Sequence, residues 1–190
     1  EGGSDVEIRS IDQFLEYLAR IRERTQRVVD LVPDDRLEWR PAPDAFSFAD
    51  LLRHVAALER YMFAENAHGR PSRYPGHGPE LAEGAEEVRA FWRRCRREAL
   101  ALYGELTDAD LERTCTTPAG AELRTWKWLR AMVEHEVHHR AQLYLMLRMT
   151  SVDTPPLYGL TSEEVLAHSE PDAPPSDVSP SDQPPADPPP

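Results

Sequence analysis

The chain has 190 residues and a formal net charge of -12, from 22 Lys and Arg against 34 Asp and Glu. That length suits one domain with a short appendage, large enough to bury a core without disulfides. The acidic balance and the lack of a basic stripe argue against a nucleic-acid partner, and no apolar run reaches the length that would make a membrane a partner.

Two cysteines, Cys95 and Cys115, form no C-x-x-C pair. Cys95 falls on an apolar helical stripe and reads as a buried thiol, whereas Cys115 falls in an expected loop. The pattern is not that of a disulfide scaffold, so a reducing, cytoplasmic location is expected. No signal-peptide pattern is visible, and the chain begins at Glu1 without a methionine, which leaves room for a removed segment.

The first predicted helix spans Ser10 to Leu31. Ile11, Phe14, Leu15, Leu18, Ile21 and Val28 follow the i, i+3, i+4, i+7 rule. Pro33 ends it, and Pro41 and Pro43 keep the next stretch extended. A second helix starts at Ser47, where Ser47-Phe48-Ala49-Asp50 resembles a capping box with Asp in place of Glu. Its stripe is Phe48, Leu51, Leu52, Val55, Leu58 and Met62, and His54 faces inward with them. Gly69, Pro71, Pro75, Gly76, Gly78 and Pro79 mark a long loop.

The third helix is expected over Ala85 to Leu106, with Val88, Phe91, Trp92, Cys95, Ala99 and Leu102 inward. The arginines at 93, 94, 96 and 97 read as its solvated face. Asp108 to Gly120 reads as a turn-rich connection, and no segment reads as a strand. The fourth helix is predicted over Thr125 to Arg148, with the stripe Trp128, Met132, His135, His139, Leu143 and Leu147. Pro155 and Pro156 follow, and Thr161 to Ala167 reads as a short last helix. Pro171 to Pro190 holds 9 of the 18 prolines, four Asp and no Lys or Arg, so it has little to bury and reads as a disordered tail. The expected organisation is an all-α four-helix bundle with crossover connections over 1–169, then a Pro/Asp-rich tail over 170–190.

Two imidazoles at i and i+4 lie one above the other on a helix face, so His135 and His139 can grip one ion from the same side. Burying both in a core is costly unless each is paired, and a metal pairs both. His54 adds a third inward imidazole from another helix. Three His ligands with an open position describe a catalytic rather than a closed structural site. His138 points about a hundred degrees away from His139 and reads as surface or supporting. His68, His77 and His168 read as exposed.

The run His135-Glu136-Val137-His138-His139 also spells H-E-x-x-H, in which Glu136 would activate metal-bound water in a metalloprotease. The extended metzincin motif fails, because Gln142 and Leu145 stand where it needs Gly and His. Glu163 or Glu164 could serve as a downstream ligand. The favoured reading of Glu136 is a helix-face carboxylate beside Arg140 at i+4. A metal-dependent enzyme, a metalloprotease and a non-enzymatic metal-binding bundle all stay open on the residues alone.

The inward His of Phe48-Ala49-Asp50-Leu51-Leu52-Arg53-His54-Val55-Ala56, the Trp126-Lys127-Trp128-Leu129 lead into His135 to Leu143, and Pro156-Leu157-Tyr158-Gly159-Leu160 together resemble the DinB/YfiT-like superfamily over Ile8 to Ala167. The resemblance implies a four-helix bundle holding a divalent metal, zinc or nickel, on His54, His135 and His139. It also implies a thiol-dependent transferase or isomerase activity with bacillithiol, mycothiol or a glutathione-like cofactor, so the expected partners are a small thiol and an electrophile. Members of the superfamily often dimerise, so a homodimer is the expected assembly. Arg53, Arg60 and Arg140 are the expected positive groups for an anionic thiol.

Overall fold

A computed structural model describes residues 8–169; the tail expected over 170–190 lies outside the described residues. The chain divides into two compact units, one up to Thr154 and one from Pro155. The first holds α1 (Ile11–Val29), α2 (Phe48–Leu58), a π-helical turn (Glu59–Phe63) that runs into α3 (Ala64–Ala67), α4 (Gly84–Gly104), α5 (Asp108–Glu112), β1 (Thr114–Thr116), β2 (Glu122–Arg124) and α6 (Thr125–Met149). The described part of the second holds α7 (Ser162–His168), opened by a capping box between Thr161 and Glu164.

The four long helical patterns become the four members of an all-α bundle. α2 packs against α4 and α6, and α1 against α6 and α4. Apolar residues at helical spacing supply the core, with Phe14, Leu18 and Ile21 of α1, Ala99 and Tyr103 of α4, and Leu129 and Met132 of α6 all buried in one cluster. At the start of α2 the Ser47 hydroxyl accepts from the Asp50 N–H at 3.1 Å, and the Asp50 carboxylate accepts from the Ser47 N–H at 3.0 Å. That reciprocal pair fixes where the helix begins, and hence the height at which His54 is presented.

Two local features depart from the expected pattern. The π-helical turn inserts a residue into the ladder after Leu58, with the Ala64 N–H reaching the Glu59 carbonyl. The inward position therefore passes from Met62, which is only half-buried, to Phe63, which is 4% exposed. The connection after α5 is not only turns, since β1 and β2 pair antiparallel with Cys115 opposite Leu123. Three-residue strands are too short to show a period-two pattern, and Gly120, at φ +81, closes the turn between them. Cys115 thus lies buried in a strand rather than in a loop, and both cysteines are free.

An ionic chain runs through the bundle and links α1, the π-helical turn that continues α2, α4 and α6. Arg22 of α1 pairs with Glu59 of the π-helical turn, Glu59 pairs with Arg96 of α4 at 3.2 Å, and Arg96 pairs with Glu136 of α6 at 3.0 Å. Arg96 lies over the Trp92 ring as well, 4.6 Å from its centroid. The arginine run of α4 is thus not wholly a solvated face. Buried charges of this kind persist only when each is paired.

Among the described residues, no helix is long and apolar enough to cross a membrane.

Candidate metal centre

α2 and α6 bring three imidazoles together. His54, His135 and His139 each offer a ligand atom, and these atoms lie within 4.8 Å of one another. The Nε2 atoms of His54 and His135 are 3.2 Å apart. His135 and His139 lie one turn apart and meet edge-on, with ring centroids at 4.4 Å, and His54 meets His139 edge-on at 4.8 Å. Two nitrogens bound to one ion at about 2.0–2.1 Å sit at most about 4.2 Å apart, so small ring rotations close the cluster on a single ion. Among the described residues, this is the group of His, Cys, Asp and Glu side chains able to hold one.

The surroundings favour neutral imidazoles, the form that binds metal. Burial, then the neighbouring His139, His135 and His77, lowers the His54 pKa from 6.5 to about 3. Burial, then His139 and His138, lowers that of His135 to about 4. His139 is lowered too, chiefly by burial, with the Gln142 hydrogen bond opposing.

Two of the three imidazoles have an oriented second nitrogen. The Gln142 Oε1 lies 2.7 Å from His139 Nδ1, and the Gln142 amide nitrogen lies 3.2 Å from His138 Nε2. The consistent assignment has His139 Nδ1–H donating to the carbonyl oxygen and the amide donating to His138, which leaves His139 Nε2 for an ion. His138 is exposed and supports the site through Gln142 rather than joining it. Tyr74 stands at His54 Nδ1 in the same way, 2.8 Å away.

Aromatic rings enclose the cluster. Phe46 lies 5.2 Å from His54, and Phe63, delivered by the π-helical turn, lies 5.7 Å from His135 and 4.6 Å from Trp128. His77 is half-buried rather than exposed, 6.1 Å from His54 and 4.5 Å from Phe46. His68 is also half-buried, its Nε2 lying 2.8 Å from the Leu102 carbonyl, whereas His168 is exposed on α7.

Glu136 occupies neither of the places expected for it. It is 1% exposed, and both of its oxygens accept from Arg96 Nη2 at 3.0 Å. It pairs with Arg96 of α4, and one step along the helix turns it about a hundred degrees from His135, away from the histidine cluster. A carboxylate held in a buried ion pair is poorly placed to take a proton from water at the histidines. Glu163 and Glu164 lie exposed on α7, and Glu164 is engaged in the helix cap.

The three arginines expected to meet an anionic thiol are bound elsewhere. Arg53 is fully buried, pairs with Asp50 and Glu38, and donates to the Ala82 carbonyl. Arg60 pairs with Glu65 and Glu98. Arg140 is 3% exposed and donates to the Ile21 carbonyl.

A pH dependence follows from the lowered imidazole values. The folded, metal-free chain binds fewer protons at His54 and His135 than the unfolded chain, whose imidazoles titrate near 6.5. Stability is therefore full above about pH 6.5 and declines as pH falls toward about 4. Thermal melts of metal-free protein between pH 7.5 and 5 should show this decline, flattened in a His54→Gln/His135→Gln double variant. Equal slopes in the two proteins would contradict it.

The DinB superfamily model matches residues 17–143. Among solved structures, a DinB-like protein from Bacillus cereus is similar with a TM-score of 0.65 and 20% identity, covering 78% of this chain and 97% of that one. YfiT from Bacillus subtilis, described as a probable metal-dependent hydrolase with an unusual four-helix bundle topology, has a TM-score of 0.61 and 14% identity over 80% of this chain and 94% of its own. A mycothiol-dependent maleylpyruvate isomerase has a TM-score of 0.53 and 15% identity over 70% of this chain and 60% of its own. At these identities the structural likenesses speak for the fold, and the family model, which spans most of the bundle, speaks for descent. With its four helices and its three-histidine cluster, the chain belongs to the DinB superfamily.

Proposed function

We propose that the protein is a divalent-metal enzyme in which His54, His135 and His139 are the metal ligands and a low-molecular-weight thiol attacks an electrophile, as a thiol S-transferase or isomerase. The observation that carries this reading is the convergence of three imidazoles from two helices, one buried and two half-buried, all biased toward the neutral form. Three protein ligands leave further positions for a small molecule.

A zinc or nickel ion bound there would lower the pKa of a coordinated thiol and hold it as thiolate. The chain's own part is to hold and orient. Gln142 orients His139, and Phe46 and Phe63 pack against His54 and His135. Neither cysteine is suited to be the nucleophile. Burial pushes the Cys95 thiol up to about 11, and that of Cys115 upward too. The sulfur is therefore best supplied by a small molecule such as bacillithiol or mycothiol. The overall reaction joins that sulfur to an electrophilic carbon. A halide and the thiol proton are released, or an epoxide opens with the proton ending on its oxygen. The mycothiol-dependent isomerase among the structural relatives supports the thiol class.

The test is thioether formation by zinc- or nickel-loaded protein with bacillithiol, mycothiol or glutathione and an aryl or alkyl halide. Turnover with at least one thiol, absent from metal-free protein, is the expected result. A rate equal to the uncatalysed one with all three would move the reading to a non-enzymatic metal-binding bundle.

A further inference from the structure

The loop between α3 and α4 delivers two side chains to the back of His54. Tyr74 Oη lies 2.8 Å from His54 Nδ1 and 3.1 Å from His77 Nδ1, so the three side chains form one hydrogen-bonded line. Gly76, at φ +96, makes the bend that returns His77 toward Tyr74, a backbone conformation strained for other residues. The loop is anchored on both sides of this pair. The Arg73 N–H donates to the Tyr61 carbonyl at 2.8 Å, and the His77 carbonyl accepts from buried Arg53 at 3.5 Å. Phe46, from the loop before α2, packs against both His54 and His77 and closes the line from the other side.

The line has a direction. His54 Nε2 is the atom turned toward His135. If that atom is to keep a free lone pair, the ring proton must sit on Nδ1 and be donated to Tyr74 Oη. The Tyr74 hydroxyl proton then has His77 Nδ1 as its acceptor. A hydroxyl alone could either donate to or accept from Nδ1, which would leave the His54 tautomer undecided. With His77 Nδ1 accepting the hydroxyl proton, the Tyr74 oxygen is left to accept from His54 Nδ1–H.

We propose that Tyr74 is a positioning residue that holds His54 in its Nδ1–H tautomer, and that His77 sets the direction of the Tyr74 hydroxyl. The proposal rests on His54 being a metal ligand. It makes the α3–α4 loop part of the metal centre although the loop contributes no ligand. Hydrogen bonds to the remote nitrogen of a metal-bound imidazole typically govern affinity by about 10–100-fold.

The test measures Co2+ and Zn2+ dissociation constants by competition, and the His54 tautomer from long-range 15N–1H spectra of histidine-labelled protein with and without zinc. Tyr74→Phe keeps the ring and removes only the hydroxyl. Tyr74 is 40% exposed, so the fold should tolerate the change. The expected result is metal binding at least 10-fold weaker, mixed His54 tautomers in the metal-free protein, and an unchanged metal-free melting temperature. His77→Phe should shift both readouts in the same direction but less. Unchanged affinity and an unchanged single tautomer in Tyr74→Phe, with wild-type protein binding metal normally, would overturn this assignment alone. A wild-type chain that binds neither ion would overturn the metal reading and this assignment with it.

Discussion

Glu136→Ala should destabilise the protein by about 3–5 kcal/mol, because it leaves a buried guanidinium without one of its two carboxylate partners. The Arg96 side chain is 9% exposed and the Glu136 side chain 2% exposed, so water cannot replace the lost carboxylate. The loss extends along the chain of charges. With Glu136 gone, Arg96 and Arg22 share the single carboxylate of Glu59, and the links between α1, α4 and α6 weaken together. Urea unfolding followed by circular dichroism measures the change. Protein that remains folded should still bind metal at wild-type stoichiometry, because Glu136 faces α4 and not the histidines. A loss under 1 kcal/mol, accompanied by loss of turnover, would instead mark Glu136 as a base at the metal and revive the H-E-x-x-H protease reading.

His54→Ala should have the largest effect on the site itself. It removes the one imidazole that α2 supplies to the cluster and leaves two on a single helix face. Metal content should fall from about one divalent ion per chain to less than a tenth of that under the same purification. The fold should survive, since His54 is only partly buried while its neighbours Leu51, Leu52 and Val55 carry the packing. Glu163→Ala and Glu164→Ala should leave the metal content unchanged. The reverse pattern, with metal retained in His54→Ala and lost in either glutamate variant, would place the third ligand downstream and contradict the three-histidine arrangement.

The convergence of His54, His135 and His139 is legible in the sequence, because helical periodicity puts all three on inward stripes and a bundle brings inward stripes together. The Ser47 start of α2 is legible for a related reason, since a capping box is local chemistry within four residues. What the sequence hides is set by distant partners. The natural neighbour of Glu136 by spacing is Arg140, yet its actual partner is Arg96, forty residues away and hidden in a run of four arginines that reads as a wet face. A regular helix, repeating every 3.6 residues, would turn Met62 inward, and the π-helical turn moves that role to Phe63. Tyr74 and His77 lie in a Gly/Pro-rich loop that has no period at all. They reach the site because the fold anchors that loop through Arg53 and Tyr61, contacts that no local pattern announces. Gln142 has a usable signal, standing three residues after His139 on the same helix face.

The proposal that this bundle holds one divalent ion on three histidines stands or falls on elemental analysis of the purified full-length chain, paired with melting curves before and after addition of zinc or nickel. Close to one ion per chain is expected, or, for protein stripped by a chelator, a clear rise in melting temperature on adding either metal. A purified protein with no bound metal, whose melting temperature neither ion raises, would contradict it.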